Sequence, residues 1–326
     1  MMLSNLGEIK TIEYIKYLIE AFVKRNRKNQ FVKVGIGDDA AVLKDGIVVS
    51  TDAYLEGVHF SLAYYDWYDV GQKVACATLS DIAAMAARPL AIFVSALLPP
   101  NINKTSIKEI YSGILNIATQ YDCLISGGDI VAHSHLGFIL TVIGKGRQAK
   151  LRSMAKPGDF LYITGHCGLA ETGRLALTNN YHRRDYPFAI KRHLCPLPRI
   201  QEAIQLSRYM NACIDTSDGL STDAFHLASM SNIKIKIFAE QIPVHQETLK
   251  YHKKHSTDDS VLDFVLNSGE DYEILFTSRK ELLPSSIGGT RLTKIGVIEQ
   301  GHGVYLIKDN RMLKLTPQGY DHLKKS

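Results

Sequence analysis

The chain has 326 residues, a formal net charge of +5, 45% hydrophobic and 22% charged residues. That length accommodates two ordinary domains, and that balance describes a folded globular protein with no low-complexity segment. The basic excess suits a small anionic partner. The densest basic runs, Lys24–Lys28 and His182–Arg184, are short and lack interleaved aromatics. They read as solvated helix ends or loops, so nucleic acid is not expected as a partner. The first ten residues show no basic region followed by an apolar core, so no signal peptide is read. The most apolar stretch, Val74–Leu98, contains Asp81, Arg88 and Pro89, which argues against a membrane span. Cys76, Cys123, Cys167, Cys195 and Cys213 are scattered and never paired as CxxC. Buried free thiols in a reducing, cytoplasmic compartment are expected.

In chain order, apolar residues at helical spacing predict an amphipathic helix over Glu8–Lys24. Short β-branched runs at Phe31–Val34 and Gly46–Thr51 flank GIGDDAAV. The Ala-rich stretch Gly71–Ala87 reads as a helix that ends at Arg88-Pro89, because the residue before a proline disfavours the helical region. A strand follows at Ala91–Leu97, then a helix over Ser106–Tyr121. A strand at Cys123–Ser126 leads into Gly127-Gly128-Asp129, and Leu136–Lys145 reads as a strand buried on both faces. A polar basic connector from Gly146 to Pro157 puts the domain boundary near residue 148. Beyond it come a strand at Phe160–Thr164, helices at Gly168–Thr178 and Leu197–Met210, and a strand end at Cys213–Asp215. A helix over Thr222–Met230, strands at Ile233–Phe238, Tyr272–Thr277 and Lys294–Ile298, and a hairpin of Val304–Ile307 with Met312–Leu315 complete the chain. Both halves mix α and β.

Three familiar phosphate or metal motifs fail on inspection. Gly35-x-Gly37-x-x-Ala40 lacks the long helix a dinucleotide fingerprint needs, and Asp38-Asp39 would face the pyrophosphate. Gly168-x-x-x-x-Gly173 continues Arg174-Leu175 where a P-loop requires Lys and Ser/Thr. Asp215-x-Ser217 meets Gly219 and Leu220 where an EF-hand loop requires a ligand and then the glycine. What remains is a set of aspartates in Gly- and Ser-rich contexts at the ends of apolar runs: Asp38, Asp39, Asp52, Asp81, Asp129, Asp215 and Asp218. Carboxylates converging from separate strand ends need neutralising. Mg²⁺ is bound by oxygen ligands together with substrate phosphates. Mg²⁺-dependent phosphate chemistry follows, while any one of these acids alone could be a turn or cap residue.

The series GIGDDAAV, STDAYLEGVHF, LSDIAAMAARP, SGGD, AKPGD, IKRHLCPLPRI, IDTSDGL, SGEDYEILFT and GYDH runs from Gly35 to His322 and resembles the thiamine-monophosphate kinase family. That family sits in the aminoimidazole-ribonucleotide-synthetase-like (PurM-like) ATP-binding superfamily. The resemblance implies an α/β, mixed α+β fold of two domains. An N-terminal domain, 1–148, would bind ATP and Mg²⁺ and form a homodimer, its sheet closing into a barrel with the symmetry mate. A C-terminal α/β domain, 149–326, would close the active site. The implied reaction takes the γ-phosphoryl group of ATP to thiamine monophosphate, with several Mg²⁺ ions. By the same resemblance Asp39, Ser50, Thr51, Asp52, Asp81, Asp129, Asp215 and Asp218 are implied metal ligands. Tyr111, Gly128, Asp129, Arg152 and Ser217 are implied ATP contacts, and His59 and Glu270 contact the acceptor. Relatives often carry an aromatic residue shortly before GYDH. Here that position holds Pro317, leaving Tyr320 or another aromatic to meet the thiamine ring. Asp38 is expected to be structural.

No Ser, Cys or His sits beside a base as a covalent nucleophile requires. The acceptor is already an ionised phosphate oxygen, so positioning by Asp81 and Arg152 with direct in-line transfer is expected. Three alternatives stand beside this reading: another ATP-dependent enzyme of the superfamily, a non-catalytic thiamine-phosphate or nucleotide sensor, and a Mg²⁺-dependent phosphohydrolase. The first lacks the reactive cysteine that two such enzymes would need near either end.

Overall fold

The computed structural model describes residues 7–25, 31–255, 260–320 and 322–323. Residues 1–6, most of the Lys24–Lys28 run and Asp321 of GYDH lie outside it. Helix α1 (Gly7–Arg25) is followed by β1 (Val32–Val34), β2 (Ala41–Leu43), β3 (Ile47–Leu55), α2 (Trp67–Ala84), β4 (Arg88–Leu98), α3 (Lys104–Gln120), β5 (Leu124–Ala132) and β6 (Gly137–Lys145). These strands form one six-stranded sheet in the order β1-β2-β3-β6-β4-β5, in which β4 and β5 run parallel.

The second half carries β7 (Phe160–Thr164), α4 (Leu169–Thr178), α5 (Pro187–Leu194), α6 (Ile200–Leu206), β8 (Cys213–Asp215), α7 (Leu220–Ser231), β9 (Lys234–Phe238), α8 (Gln246–His255) and α9 (Val261–Asn267). It ends with β10 (Ile274–Ser278), β11 (Ser286–Ile287), β12 (Thr290–Glu299), β13 (Gly303–Lys308) and β14 (Arg311–Leu315). Its sheet runs β14-β13-β9-β12-β7-β10-β8, with β11 paired to β12. The fold is thus mixed α/β with one sheet in each half.

The Ala-rich composition of α2 has a packing reason. The helix lies between the first sheet and α3, with Val70, Val74, Cys76, Leu79, Ile82 and Ala83 fully buried. A Cβ on Gly71 would overlap the Ile110 carbonyl, and one on Gly113 would overlap the Tyr68 carbonyl. The two helices therefore cross at glycines, close enough that no larger residue fits. The resulting core continues without a break into Leu169, Ala189, Ile200, Cys213 and Phe276 of the second half. That continuity holds α2 against β8 and α6.

Several expectations need correcting. The strand begun at Cys123 does not stop before Gly127-Gly128-Asp129; β5 runs through all three, because β4 pairs with them up to Ala132. A Cβ on Gly128 would overlap the Val94 carbonyl, so glycine permits this pairing. Strand β6 is not buried on both faces. Phe138, Leu140 and Val142 are buried, but the alternate face leaves Ile139 40% exposed, beside Phe93 on β4. The helix expected over Leu197–Met210 spans only Ile200–Leu206, since Pro196 and Pro198 delay its start. Helices α5, α8 and α9 were not expected: each has ten residues or fewer, and α8 is rich in charged residues and histidine. All five cysteines are free thiols; four are buried and Cys195 is half-buried, and the Cys76 and Cys195 sulfurs lie 3.9 Å apart.

Candidate active site

Three aspartates far apart in sequence meet where the two halves join. Asp39 precedes β2, Asp81 sits in the last turn of α2, and Asp215 ends β8. One carboxylate oxygen from each lies within 4.8 Å of the other two. Asp52, on β3, lies near enough for its charge to act on Asp81, and receives a hydrogen bond at 3.3 Å from the Tyr54 hydroxyl. Local geometry fixes each acid. The Ser50 hydroxyl donates to Asp81, and the Ser80 hydroxyl donates to Asp215 at 2.5 Å. Ser80 and Asp81 are adjacent on α2, so one helix turn contributes both a ligand candidate and its neighbour's donor.

The electrostatics are unfavourable without a cation. Burial, then the charges of Asp52, Asp215 and Asp39, push the Asp81 carboxyl well above its ordinary range. Burial, then Asp39, push Asp215 up to about 8. The C-terminal end of α2 adds a negative macrodipole at Asp81. The Arg152 guanidinium offsets part of this, donating to Asp39 Oδ1 at 2.6 Å. Asp39 Oδ2 is buried and has no hydrogen-bond partner. An orphaned carboxylate oxygen facing two more acids suits a hard divalent cation, whose oxygen ligands these residues would be. Asp38 does something else: it accepts the backbone N–H groups of Asp39 and Arg152, each at 3.2 Å, tying the two loops together.

Not every implied ligand joins this cluster. Asp52 and Asp129 are not at strand ends, nor is Asp81 on a strand at all; β3 and β5 continue past the first two. The Thr51 hydroxyl turns to the opposite face of β3 from Ser50 and meets Thr141 at 3.0 Å. Register aligns Asp52 with Leu140, Leu140 with Val94 and Val94 with Gly128. Three strand spacings, about 14 Å, therefore separate β3 from Gly128 and Asp129 within one chain. Tyr111 lies half-buried on α3 against the apolar core. Asp218 and Ser217 occupy the loop after β8, next to Asp215. The Ser217 carbonyl accepts the Glu270 N–H at 2.8 Å.

The acceptor-side residues converge on that loop. The Tyr320 N–H donates to the Asp218 carbonyl at 3.3 Å, and the Gly319 N–H donates to Thr222 Oγ1 at 3.0 Å. These bonds bring the C-terminal segment over the site: His322 stands 5.1 Å from the His59 ring and 4.7 Å from the Tyr320 ring. Tyr320 is 54% exposed, so its face is available. His59 Nδ1 accepts the Leu55 N–H at 3.1 Å, and burial, then the neighbouring His322, lower its pKa. Glu270 sits in the left-handed region at φ 65° with its side chain 29% exposed.

Sequence reasoning missed three residues here: Ser80, Lys73 and His193. Ser80 could have been found, since it stands directly before Asp81. Lys73 is fully buried on α2, with Nζ 3.0 Å from Glu270 Oε1, and His193 is 2% exposed beside the same carboxylate. A lone Lys in an Ala-rich helix resembles a solvated position, and nothing in its spacing marks it.

Comparison with known proteins shows the family. Residues 37–147 match the family described as AIR synthase related protein, N-terminal domain. The chain is 32% identical to a thiamine-monophosphate kinase of Aquifex aeolicus, over 99% of this chain and 100% of that one. It is 33% identical to a thiamine-monophosphate kinase of Bacillus subtilis, over 94% and 98% of the two chains. A solved structure of AaThiL complexed with AMPPCP and TMP superposes with a TM-score of 0.86 at 30% identity, covering 99% of each chain. The chain belongs to the thiamine-monophosphate kinase family.

Proposed function

We propose that this kinase transfers the γ-phosphoryl group of ATP directly to the phosphate of thiamine monophosphate, giving thiamine diphosphate and ADP. The observation that carries the reading is the meeting of Asp39, Asp81 and Asp215 within 4.8 Å, alongside His59, Glu270 and Tyr320. The first group would hold several Mg²⁺ ions, with Ser50, Asp52 and Asp218 as further oxygen donors. Bound there, the ions supply neutralisation of the triphosphate charge. Arg152 presents a bidentate fork beside Asp39 and would contact the phosphates, with Ser217 as a nucleotide contact. His59, Glu270 and Tyr320 would fix the organic part of the acceptor so that its phosphate oxygen meets the γ-phosphorus in line. No side chain need remove a proton, because the attacking oxygen is already ionised.

The division at residue 148 would give the first part the dimer contacts and most ATP and Mg²⁺ contacts, and the second part closure, with Arg152, Asp215, Ser217 and Asp218 reaching the same site. A homodimer is supported by the open face of the first sheet, where Phe93, Leu124, Val131 and Ile139 are exposed. Closure of that sheet on its mate would also give Gly128, Asp129, Tyr111 and Thr51 a site to serve. Among the described residues no helix is long and apolar enough to cross a membrane, and the five free thiols fit a cytoplasmic setting. ATP made chiral at the γ-phosphorus tests the transfer step. Inversion in the thiamine diphosphate formed is expected; retention, or an isolable phospho-enzyme, would overturn direct transfer.

A further inference from the structure

Lys73 is the largest charged side chain buried in the first half, and its surroundings are unusually specific. It projects from α2, two turns before Asp81, and is 0% exposed. Its ammonium meets one carboxylate, Glu270 Oε1, at 3.0 Å and has no neutral hydrogen-bond partner. The Tyr272 ring lies 5.3 Å from the same nitrogen. A buried ammonium is tolerated only when paired, and this one has a single partner to pair with. Glu270 also has His193 at 3.5 Å, but that ring is held neutral by burial and by Lys73 itself, its pKa lowered to about 3. It fills space without supplying charge, so Lys73 is the counter-ion.

Glu270 is in turn poorly placed to hold itself. Its backbone is in the left-handed region, a conformation a non-glycine residue adopts only against strain. Its carboxylate is partly open on the acceptor side, near His59 and Tyr320. Burial raises its pKa, and the Lys73 ammonium foremost reverses that, so the group stays ionised.

We propose that Lys73 is a positioning residue for the acceptor: by pairing from beneath, it keeps Glu270 charged and aimed at the cationic, amine-bearing organic part of thiamine monophosphate. This rests on the acceptor assignment above. Lys73 touches neither reacting phosphate and acts only through Glu270.

The test is a double-mutant cycle of Lys73→Met and Glu270→Gln in the full chain, with KM for thiamine monophosphate, KM for ATP and kcat measured separately. Lys73→Met is expected to raise the acceptor KM about tenfold or more, as loss of one partner of a buried pair does, with the ATP KM within about twofold. Lys73→Met/Glu270→Gln keeps no unpaired charge and is expected to melt within a few degrees of the unaltered protein. Its acceptor KM should match that of Glu270→Gln alone. An unchanged acceptor KM in Lys73→Met, an equal loss on both substrates, or additive effects in the double variant would each overturn the proposal. Absence of thiamine diphosphate formation by the unaltered protein would instead remove the acceptor reading on which it stands, so the two failures are told apart.

Discussion

A carboxylate in the last turn of a buried helix, beside three other carboxylates, is relieved only by a cation or a proton. Asp81 is that group, and replacing it separates its two consequences. Asp81→Asn is expected to lower turnover by roughly 10²-fold or more while leaving the metal-free protein at least as stable, because like-charge repulsion falls. Steady-state ADP release and thermal melting in chelator check the two halves of this expectation. The pH dependence has a defined sign. Asp215 titrates near 8 in the folded chain against 3.8 for the free side chain, so between those values the native state binds more protons than the unfolded one. Metal-free stability should therefore fall as pH rises from about 4 to about 8. Mg²⁺ competes with those protons, so its stabilisation should grow over the same interval. Melting curves with and without Mg²⁺ read this directly; a metal-free protein that gained stability toward pH 8 would contradict it. The acids that meet were legible because each sits in a short polar motif inside an apolar run. Thr51 and Asp129 were placed with them on motif alone, since strand register, which turns one to the far face and carries the other three strands away, is not written in either motif.

At the scale of elements, α2 organises the site, and its crossing with α3 sets where Ser80, Asp81 and Lys73 lie. Gly113→Ala puts a methyl group into the Tyr68 carbonyl and is expected to cost about 1–3 kcal/mol in urea unfolding. Gly35→Ala, with nothing within 4 Å of the new Cβ, should stay within about 0.5 kcal/mol. A second device fastens β10 beside Glu270. Glu273, 1% exposed, accepts two hydrogen bonds from Arg199, at 2.6 and 2.7 Å. Burial raises its pKa, but Arg199 and Arg192 bring it down to about 2. Arg199→Met leaves that carboxylate only Arg192, at 3.2 Å, and the Thr164 hydroxyl, and is expected to destabilise by about 1.5–3 kcal/mol. The helices read from sequence were those with a long apolar stripe. Helix α8, QETLKYHKKH, escaped because only Thr248, Tyr251 and His252 of it are buried. Helix α6 shrank because two prolines precede it.

Across the whole molecule, one core joins the halves and a second lies within the second half, yet one face of the first sheet stays open. Leu124 is 70% exposed, Val131 is 48% and Ile139 is 40%, an apolar surface of the kind that marks an interface. Ile139→Asp is expected to shift sedimentation from dimer to monomer without unfolding the chain, and to reduce turnover if Asp129 acts across the interface. A sedimenting dimer in both proteins would remove the sheet-face assignment. The polar connector after Gly146 lies between β6 of the first sheet and β7 of the second. The continuity of the core could not be read from the sequence, because it depends on α2 reaching β8 and α6, contacts that no local pattern encodes. The most direct measurement is the product of one incubation: ATP, Mg²⁺ and thiamine monophosphate with the purified chain, separated by chromatography. The account predicts one thiamine diphosphate for each ADP; ADP and inorganic phosphate without thiamine diphosphate would contradict it.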